Sequence, residues 1–515
     1  MKSYNKKCSE QESKQRKAID ELKKYFPGLP DDLVIDGNVN LAGRYINVLP
    51  DNLTINGSLD VRDSCYLDQF PDNLIIKGNF YIDSCIDGTL PVSLQVHGQL
   101  SIVSGADLPD NFSVGGDLVV SEYTEFLPDN LTVGGSLNLK GTKIKELPAG
   151  LKVHGNLCLS ELPITYLPTD LYVGGNLDCY KTSIKNIPQS VHIGGGLNIS
   201  HTEVRVFPKQ LKELNGCLSI NSCRIKYLPD DLIVHGSLYA DGSSLVELPK
   251  NLRVDKWLDL ARTVIEELPE DLVAGGTIDL SECPIEKLPS GLKVYGDLDI
   301  SGTLIKELPE DLVVYDTLDI NDSLIERLPA FVNAGSLDLK ACRVPTDILP
   351  EGFSVTGDLR LCVCSKEKPE PLKLPANLKV GGNLIMDSSL QRDWPKNLFV
   401  GGDVKFGDSE IRYLPTDATI KGKLIFLEGL FYGSTMVLEL ISGSVSVPYS
   451  VVVPKYDIDR YRYILSGTMA SIDSRLRDYL DDKTKVEILP LAATDNSVPV
   501  TSGSLGKRKK DLLSA

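Results

Sequence analysis

The sequence predicts a β-rich solenoid of about 20 coils, and three observations carry this prediction. An apolar residue followed by proline returns about every 20 residues, from Leu29-Pro30 to Leu414-Pro415. Each pair is followed by two short alternating apolar segments, typically Leu-x-Val and then Leu-x-Leu. Glycine follows the Val position in 18 of the 20 copies, with Lys256 and Asp316 as the exceptions. A fixed period of this length is typical of a solenoid in which each unit is covered only by its neighbours.

The unit from Leu127 to Glu146 serves as a template, and its residues are numbered here as positions 1 to 20. It reads LPDNLTVGGSLNLKGTKIKE, with apolar residues at positions 1, 5, 7, 11, 13 and 18. The alternation at positions 10 to 14 predicts a short strand with one buried face, and Leu-x-Val predicts a second extended segment. The proline at position 2 excludes a helix through the corner. We therefore expect one continuous buried row at position 11, formed by Leu137, Leu157, Leu177 and Leu197.

The two ends of the chain depart from the repeat. Ser9-Glu10-Gln11-Glu12 matches a capping box, so residues 1–28 are predicted to form a helical cap on the first coil. The repeats are predicted to span residues 29–430. Residues 431–490 are expected to form a small mixed α/β module or cap. Residues 491–515 are expected to be a disordered tail that ends in the basic run Lys507 to Lys510.

The repeat resembles the leucine-rich-repeat family. The family pattern L-x-x-L-x-L-x-x-N/C-x-L matches positions 8 to 18, with Gly or His usually in place of the first Leu. The 20-residue length and the Leu-Pro opening are similar to the short bacterial and phage type. The resemblance implies a horseshoe or arc that binds other proteins. One departure is position 16, where Thr, Ser or Cys replaces the family's Asn; a hydroxyl or thiol there is still expected to donate to a backbone carbonyl of the turn.

Composition restricts the function classes. The chain has 515 residues and a formal net charge of −17, which disfavours nucleic-acid binding by the repeat body. No secretory signal or membrane span is evident, so a cytoplasmic location is expected, inside a host cell or a virion if the protein is viral. The eleven cysteines are scattered singly, mostly in separate coils. They are expected to be free thiols, with no metal or other cofactor bound.

The sequence shows no recognisable arrangement of catalytic residues, so the protein is predicted not to be an enzyme. His97, His154 and His235 occupy turns in separate coils, so they are not expected to share a site. No phosphate loop, nucleophile elbow or zinc-helix motif occurs in the sequence. No cysteine follows Cys364, which excludes the catalytic cysteine domain of the ubiquitin-ligase effectors that similar repeats precede.

An acidic row is the candidate binding site. Position 12 lies between the two buried leucines of the second strand and is predicted to face the open side of the sheet. It is aspartate in five successive coils: Asp259, Asp279, Asp299, Asp319 and Asp338. Three interpretations stay open, namely a solvated polar face, a docking surface for a basic partner, and a calcium site. Trp257 and Tyr239 lie beside the row as candidate aromatic anchors.

The function predicted from these features is a non-catalytic scaffold that binds another protein on the sheet face, as an intracellular effector or modulator. The alternative is a structural or receptor-binding protein of a virus or phage particle.

Overall fold

The computed structural model describes residues 2–63, 70–83, 88–103, 106–340, 347–362, 373–387, 394–406, 418–426, 450–454 and 486–489. The chain divides into two compact units, Met1–Leu298 and Asp299–Ala515. Within each unit, consecutive coils stack through short parallel strands. The predicted fold class, a β-rich solenoid, is confirmed.

In the first unit each coil contributes a strand to two parallel rows. The first row consists of Val34–Ile35, Thr54–Ile55, Ile75–Ile76, Gln95–Val96, Ser113–Val114, Thr132–Val133, Lys152–Val153, Tyr172–Val173, His192–Ile193, Glu213–Leu214, Ile233–Val234, Arg253–Val254, Val273–Ala274 and Lys293–Val294. The second row consists of Val39–Asn40, Leu59–Asp60, Phe80–Ile82, Leu100–Ile102, Leu118–Val119, Leu137–Asn138, Leu157–Cys158, Leu177–Asp178, Leu197–Asn198, Leu218–Ser219, Leu238–Tyr239, Leu258–Asp259 and Ile278–Asp279. A further parallel pair joins Gly88–Thr89 to Ala106–Asp107, and the strand Leu298–Asp299 lies where the two units meet in the sequence.

The register of these strands matches the template. Leu137 pairs with Leu157, Leu157 with Leu177 and Leu177 with Leu197, each in a neighbouring coil. All four side chains are buried, with exposed fractions of 1% or less. Positions 5, 7, 13 and 18 of the same coils are also buried. The predicted continuous leucine row is confirmed.

The glycine at position 9 lets the backbones of adjacent coils approach each other. The N–H of Gly155 donates to the carbonyl of Gly135 at 2.8 Å, and the N–H of Gly175 donates to that of Gly155 at 2.9 Å. A Cβ atom on Gly155 would lie 2.6 Å from the carbonyl carbon of Gly135. In protein structures, Cβ atoms do not approach atoms of another backbone segment to less than 3.0 Å. Glycine is required here by close packing between coils, since none of these residues has a positive φ.

Lys256 occupies this glycine position in one coil, and the ladder is looser there. Its N–H donates to the carbonyl of Gly236 at 3.3 Å, at the long end of the range. A Cβ atom on Gly276, in the next coil, would lie 3.0 Å from the carbonyl oxygen of Lys256. The side chain of Lys256 therefore coincides with wider spacing between coils.

Position 10 forms a second ladder, in which a side chain of one coil accepts a hydrogen bond from the backbone of the next. Asn156 Oδ1 accepts from the N–H of Asn176 at 2.7 Å, and Asn176 Oδ1 accepts from the N–H of Gly196 at 2.6 Å. Ser136 Oγ accepts from the N–H of Asn156 at 3.0 Å. The frequent Asn, Ser and Asp residues after the glycines thus satisfy backbone donors that would otherwise lack a partner.

The turn after the second strand requires a left-handed residue at position 15. Gly141, Gly242 and Gly302 occupy it in three coils, while Glu161 and Lys181 adopt φ values of 65° and 55° in others. A side chain in this conformation costs about 1–2 kcal/mol. The N–H of Glu161 nevertheless donates to the carbonyl of Tyr180 in the next coil at 2.8 Å, and that of Lys181 donates to the carbonyl of Ser200 at 3.0 Å.

Position 16 donates to a backbone carbonyl, as predicted. The hydroxyl of Thr182 donates to the carbonyl of Cys179 in its own coil at 2.9 Å. Cysteine at this position reaches the preceding coil instead, since Cys223 Sγ donates to the carbonyl of Ile199 at 2.8 Å and Cys283 Sγ to that of Leu260 at 2.9 Å. Thiol and hydroxyl residues therefore replace the asparagine of the family pattern.

The helix at the start of the chain spans Lys2–Lys23. It begins well before Ser9, so the predicted capping box does not start the helix; the lysine- and glutamine-rich segment around it favours helix by itself. Leu22 is fully buried. The helix contacts the first coils through polar groups, because Glu21 Oε1 accepts from the N–H of Asn47 at 2.8 Å and Gln15 Oε1 accepts from the N–H of Asp51 at 2.8 Å.

The second unit continues the two-row pattern with longer strands. They are Val313–Asp319, Phe331–Lys340, Ser354–Val355, Asp358–Cys362, Lys379–Val380, Leu384–Asp387, Phe399–Val400, Val404–Phe406, Thr419–Ile420, Lys423–Phe426, Ser450–Pro454 and Val486–Leu489. Where Asp316 replaces the usual glycine, the chain stays extended and the two rows merge into the single strand Val313–Asp319. Leu318 pairs with Leu337 and Leu359 with Leu384, so position 11 stays in register.

Two strands lie beyond residue 430, the predicted end of the repeats. Val451 pairs in parallel with Leu424, and Val452 pairs with Glu487 of the last strand, so both strands extend the ladder. The rest of the predicted C-terminal module and the Lys507–Lys510 run lie outside the described residues. The predicted domain boundaries therefore stay predictions.

Candidate docking surface on the strand face

Position 12 has a structural role that the sequence analysis did not predict. Its side-chain oxygen accepts a hydrogen bond from the backbone N–H of position 14, two residues on. Asn138 accepts from Lys140 at 3.0 Å and Asp178 from Tyr180 at 2.9 Å. This Asx turn ends the second strand and begins the corner. The presence of both Asn and Asp at this position is the sequence signal that could have indicated the role.

The two aspartates of the row that lie in the first unit are buried. Asp259 is 1% exposed and Asp279 is 5% exposed, whereas position 12 was predicted to face open solvent. Asp279 Oδ1 accepts from the N–H of Ser281 at 3.0 Å and from its hydroxyl at 2.6 Å, and Asp259 Oδ1 accepts from the N–H of Ala261 at 3.3 Å. The two residues pair in register. Their carboxylates are therefore held by the solenoid itself and do not form a solvated face.

The other three aspartates lie in the second unit and are half-buried. Asp299 accepts from the N–H of Ser301 at 2.9 Å, and Asp319 accepts from the N–H of Asn321 at 2.9 Å. Asp338 pairs with Arg360 of the next coil, with Oδ2 and Nη1 3.6 Å apart. Arg360 occupies position 12 of its own coil, so the basic residue that follows the acidic row supplies a counter-ion to the last aspartate.

The aromatic pair predicted as an anchor is present next to Asp259. The rings of Tyr239 and Trp257 pack edge to face, with centroids 5.7 Å apart, and both side chains are half-buried. The indole N–H of Trp257 is buried and has no acceptor within the described part of the chain. Asp241 lies on the coil of Tyr239 and forms an ion pair with Arg262 at 2.7 Å. Two aromatic rings and several carboxylates therefore meet over adjacent coils.

Exposed apolar side chains that were not predicted from the sequence occupy position 20 in four coils of the first unit, with the polar residues Glu146 and Asn186 in the coils between. Phe126 is 83% exposed, Val206 60%, Tyr227 58% and Tyr166 48%. The same edge carries the exposed basic residues of position 19, namely Lys145, Lys185, Arg205 and Lys226. The template identifies positions 19 and 20 as outward-facing, so the exposure of large apolar residues there could have been predicted from the sequence.

A charged cluster joins three coils on the first row of strands. His235 Nε2 lies 3.0 Å from Glu213 Oε1, and His235 Nδ1 lies 2.8 Å from Asp255 Oδ2. Arg253 Nε donates to Asp255 Oδ1 at 2.7 Å. The hydrogen bonds to Glu213 and then to Asp255 raise the pKa of His235 above its ordinary value. Histidines were not expected to share sites with one another, but this one bridges two carboxylates about 20 residues away on either side.

We expect this cluster to make stability pH-dependent. A raised pKa in the folded chain means that the contribution of His235 is fully present below the unfolded value of 6.5 and is lost as pH rises through the folded pKa. The free energy of unfolding relative to a His235→Gln variant should therefore fall as the pH is raised from about 6 to 8. Urea unfolding at each pH measures this difference. Repeating it in a Glu213→Gln/Asp255→Asn background should remove the trend, and a trend that survives would assign it to other groups.

The described cysteines are free thiols. They are Cys158, Cys179, Cys217, Cys223 and Cys283. Burial raises the pKa of Cys179 well above its ordinary value and also raises those of Cys223 and Cys283, which keeps these three thiols protonated and unreactive. The remaining six cysteines lie outside the described side chains, so the prediction that all eleven are free stays a prediction.

Within the described ranges, no group of three or more His, Cys, Asp or Glu side chains is placed to hold a metal ion. Over the same residues, no helix has both the length and the apolar character to cross a membrane.

Comparisons with known proteins return two similar structures. YopM from Yersinia enterocolitica WA-314 is 18% identical, with 79% of this chain and 94% of that chain covered and a TM-score of 0.39. YopM from Yersinia pestis, described as a leucine-rich effector protein, is also 18% identical, with 75% and 99% covered and a TM-score of 0.30. No family model and no curated protein matches the sequence. The solenoid fold rests on the strand ladders of the chain itself.

Proposed function

We propose that the chain is a leucine-rich-repeat scaffold that binds another protein without catalysing a reaction. The docking surface in this proposal is the strand face from Tyr239 to Asp279 in the first unit. One observation carries it: an edge-to-face aromatic pair lies beside carboxylates on consecutive coils. Aromatic rings supply contact area at low entropic cost, and the carboxylates make the surrounding face negative.

The partner that fits this face has lysine or arginine side chains. A cation over the faces of Tyr239 and Trp257 gains both a cation–π contact and the field of the carboxylates. Because Asp259 and Asp279 are buried, they act on the partner through their charge, while the aromatic rings make the contact. The proposed setting is the inside of a cell, as an effector or modulator. The buried free thiols of Cys179, Cys223 and Cys283 support a reducing compartment.

A fluorescence titration tests the proposal, because Trp257 is one of two tryptophans in the chain. In a Trp394→Phe background, titration with a lysine–arginine peptide should change Trp257 emission, with an affinity that falls as salt rises. An Asp259→Asn/Asp279→Asn variant should bind the peptide about tenfold more weakly. Asn still accepts the hydrogen bond from position 14, as Asn138 does, so the turn is retained.

The matched control removes two charges elsewhere on the same unit. A Glu122→Gln/Glu125→Gln variant alters exposed residues in an earlier coil of the unit and should leave the titration unchanged. Equal losses in both variants would indicate a general charge effect and would contradict docking at this face. Unchanged Trp257 emission at every peptide concentration would also contradict it.

A further inference from the structure

The edge formed by positions 17, 19 and 20 changes sign part-way along the first unit. In the coils that span residues 167–227 it carries the exposed cations Lys185, Arg205, Arg224 and Lys226, with Glu203 as the one exposed anion. In the next coils, residues 228–287, it carries the exposed anions Glu247, Glu266, Glu267 and Glu286, with Lys287 as the one exposed cation. We name the first stretch the basic strip and the second the acidic strip. The two strips follow one another along the same edge of the first unit. The whole chain has a net charge of −17.

The charges of these strips are mostly not neutralised within the chain. Lys185 lies 3.9 Å from Glu203, and both side chains are more than half exposed, so this pair is weak. Arg205 and Lys226 form no ion pair in the described part of the chain, and neither do the four glutamates. Exposed apolar side chains accompany both strips, with Val206 and Tyr227 on the basic one and Val264 on the acidic one.

We propose that the two strips bind a second copy of this chain in an antiparallel, two-fold symmetric dimer. The strips occupy consecutive coils of one ladder in continuous register, since Leu177, Leu197, Leu218, Leu238, Leu258 and Ile278 pair in order. In a two-fold interface the same surface contributes twice, so a basic strip next to an acidic strip is complementary to its own inverted copy.

A two-fold axis between the coils that end at Tyr227 and Glu247 fixes the pairing. Lys226 then faces Glu247 of the second copy, and Arg205 faces Glu266 and Glu267. One coil farther out, Lys185 faces Glu286, and this outer pair is the weakest because Lys287 lies next to Glu286. Val206 faces the coil that carries Val264 in the second copy. The exposed apolar side chains are therefore flanked by the ion pairs of the interface. Each of these pairs occurs twice in the dimer.

The area of the two strips determines the expected affinity of the dimer. Six coils at about 4.8 Å each give a strip about 29 Å long. With a width of about 10 Å, the dimer buries roughly 600 Å² in total, below the ~1,200 Å² of standard stable interfaces. A weak dimer with a Kd on the order of 100 µM is therefore expected. Since its polar contacts are exposed ion pairs, raising the salt from about 0.05 M to 0.5 M should dissociate it.

Sedimentation velocity of the full chain tests the proposal across concentrations on either side of that Kd. An Arg205→Glu/Lys226→Glu variant should be monomeric throughout, and so should a Glu247→Lys/Glu266→Lys variant. The combined fourfold variant should dimerise again, because each of its four exchanged charges meets an exchanged partner across the axis; its dimer should be weaker than the native one, since Glu267 keeps its charge. A mixture of the two double variants should form a heterodimer.

The matched control is Lys143→Glu/Lys145→Glu, which makes the same change in charge on the same edge outside the paired coils. It should dimerise like the native chain. Circular dichroism checks that all variants keep the fold, as expected for exposed side chains. A native chain that stays monomeric at low salt, a fourfold variant that stays monomeric, or a control that dissociates as readily as the double variants would overturn the proposal.

Discussion

A Gly155→Ala substitution should destabilise the first unit by about 3 kcal/mol or more, although it adds a single methyl group. The added Cβ would lie 2.6 Å from the carbonyl carbon of Gly135 and 2.7 Å from its oxygen. Both atoms belong to the backbone of the adjacent coil and cannot rotate away; the third close atom, Ser136 Oγ at 2.6 Å, can. The two coils must separate, which stretches the 2.8 Å hydrogen bond between Gly155 and Gly135. Urea denaturation followed by circular dichroism measures the loss.

Two other glycines serve as graded controls for this prediction. At Gly276 the nearest atom to a new Cβ is the carbonyl oxygen of Lys256 at 3.0 Å, so Gly276→Ala should cost clearly less. At Gly28 no atom lies within 4 Å and φ is not positive, so Gly28→Ala should change stability by no more than about 0.5 kcal/mol. Equal effects at Gly155 and Gly28 would show that the spacing between coils does not determine the glycine requirement.

Leu177→Ala should cost about 3 kcal/mol, within the range measured for large-to-small changes in cores. Leu177 is fully buried and lies in register between Leu157 and Leu197 of the adjacent coils. The cavity left by the substitution is bounded above and below by ordered backbone ladders, which limits collapse around it. Urea unfolding of the variant and the native chain gives the difference.

Val92→Ala provides the comparison for the leucine, because Val92 is 77% exposed. Its effect should stay within about 0.5 kcal/mol. A loss at Leu177 no larger than the loss at Val92 would mean that position 11 does not form the core of the coil.

The fold could be predicted because every coil has the same pattern of apolar, proline and glycine positions. The inward positions, the register of the leucine row and the hydroxyl or thiol bonds of position 16 all follow from one 20-residue pattern read many times. The helix Lys2–Lys23 lies within the predicted range 1–28, but the capping box at Ser9 does not mark its start, because the lysine- and glutamine-rich sequence before it favours helix as well.

The site was predicted only in part, and the reason is packing between neighbours. The register of Asp259 with Asp279 followed from the repeat. Their burial did not follow from it, because the exposure of a position 12 side chain depends on the side chains at the same position of the two adjacent coils. The edge-to-face contact of Tyr239 and Trp257 depends on rotamers, which no periodicity specifies. The exposed residues of position 20 could have been found from the template alone.

The position 10 ladder has a consequence for how this protein can change its length. Each side chain of that ladder binds the backbone one coil away, as Asn156 binds Asn176 and Asn176 binds Gly196. Every partner lies at the same position of the next unit. In an inserted whole unit, the N–H of position 10 would therefore find its acceptor in the preceding coil, and the side-chain oxygen of position 10 would find its donor in the following coil. An insertion of half a unit would leave both unmatched. Duplication of whole coils can therefore lengthen this protein without changes to the neighbouring coils. Each inserted coil increases the distance between the surfaces that flank it by one strand spacing.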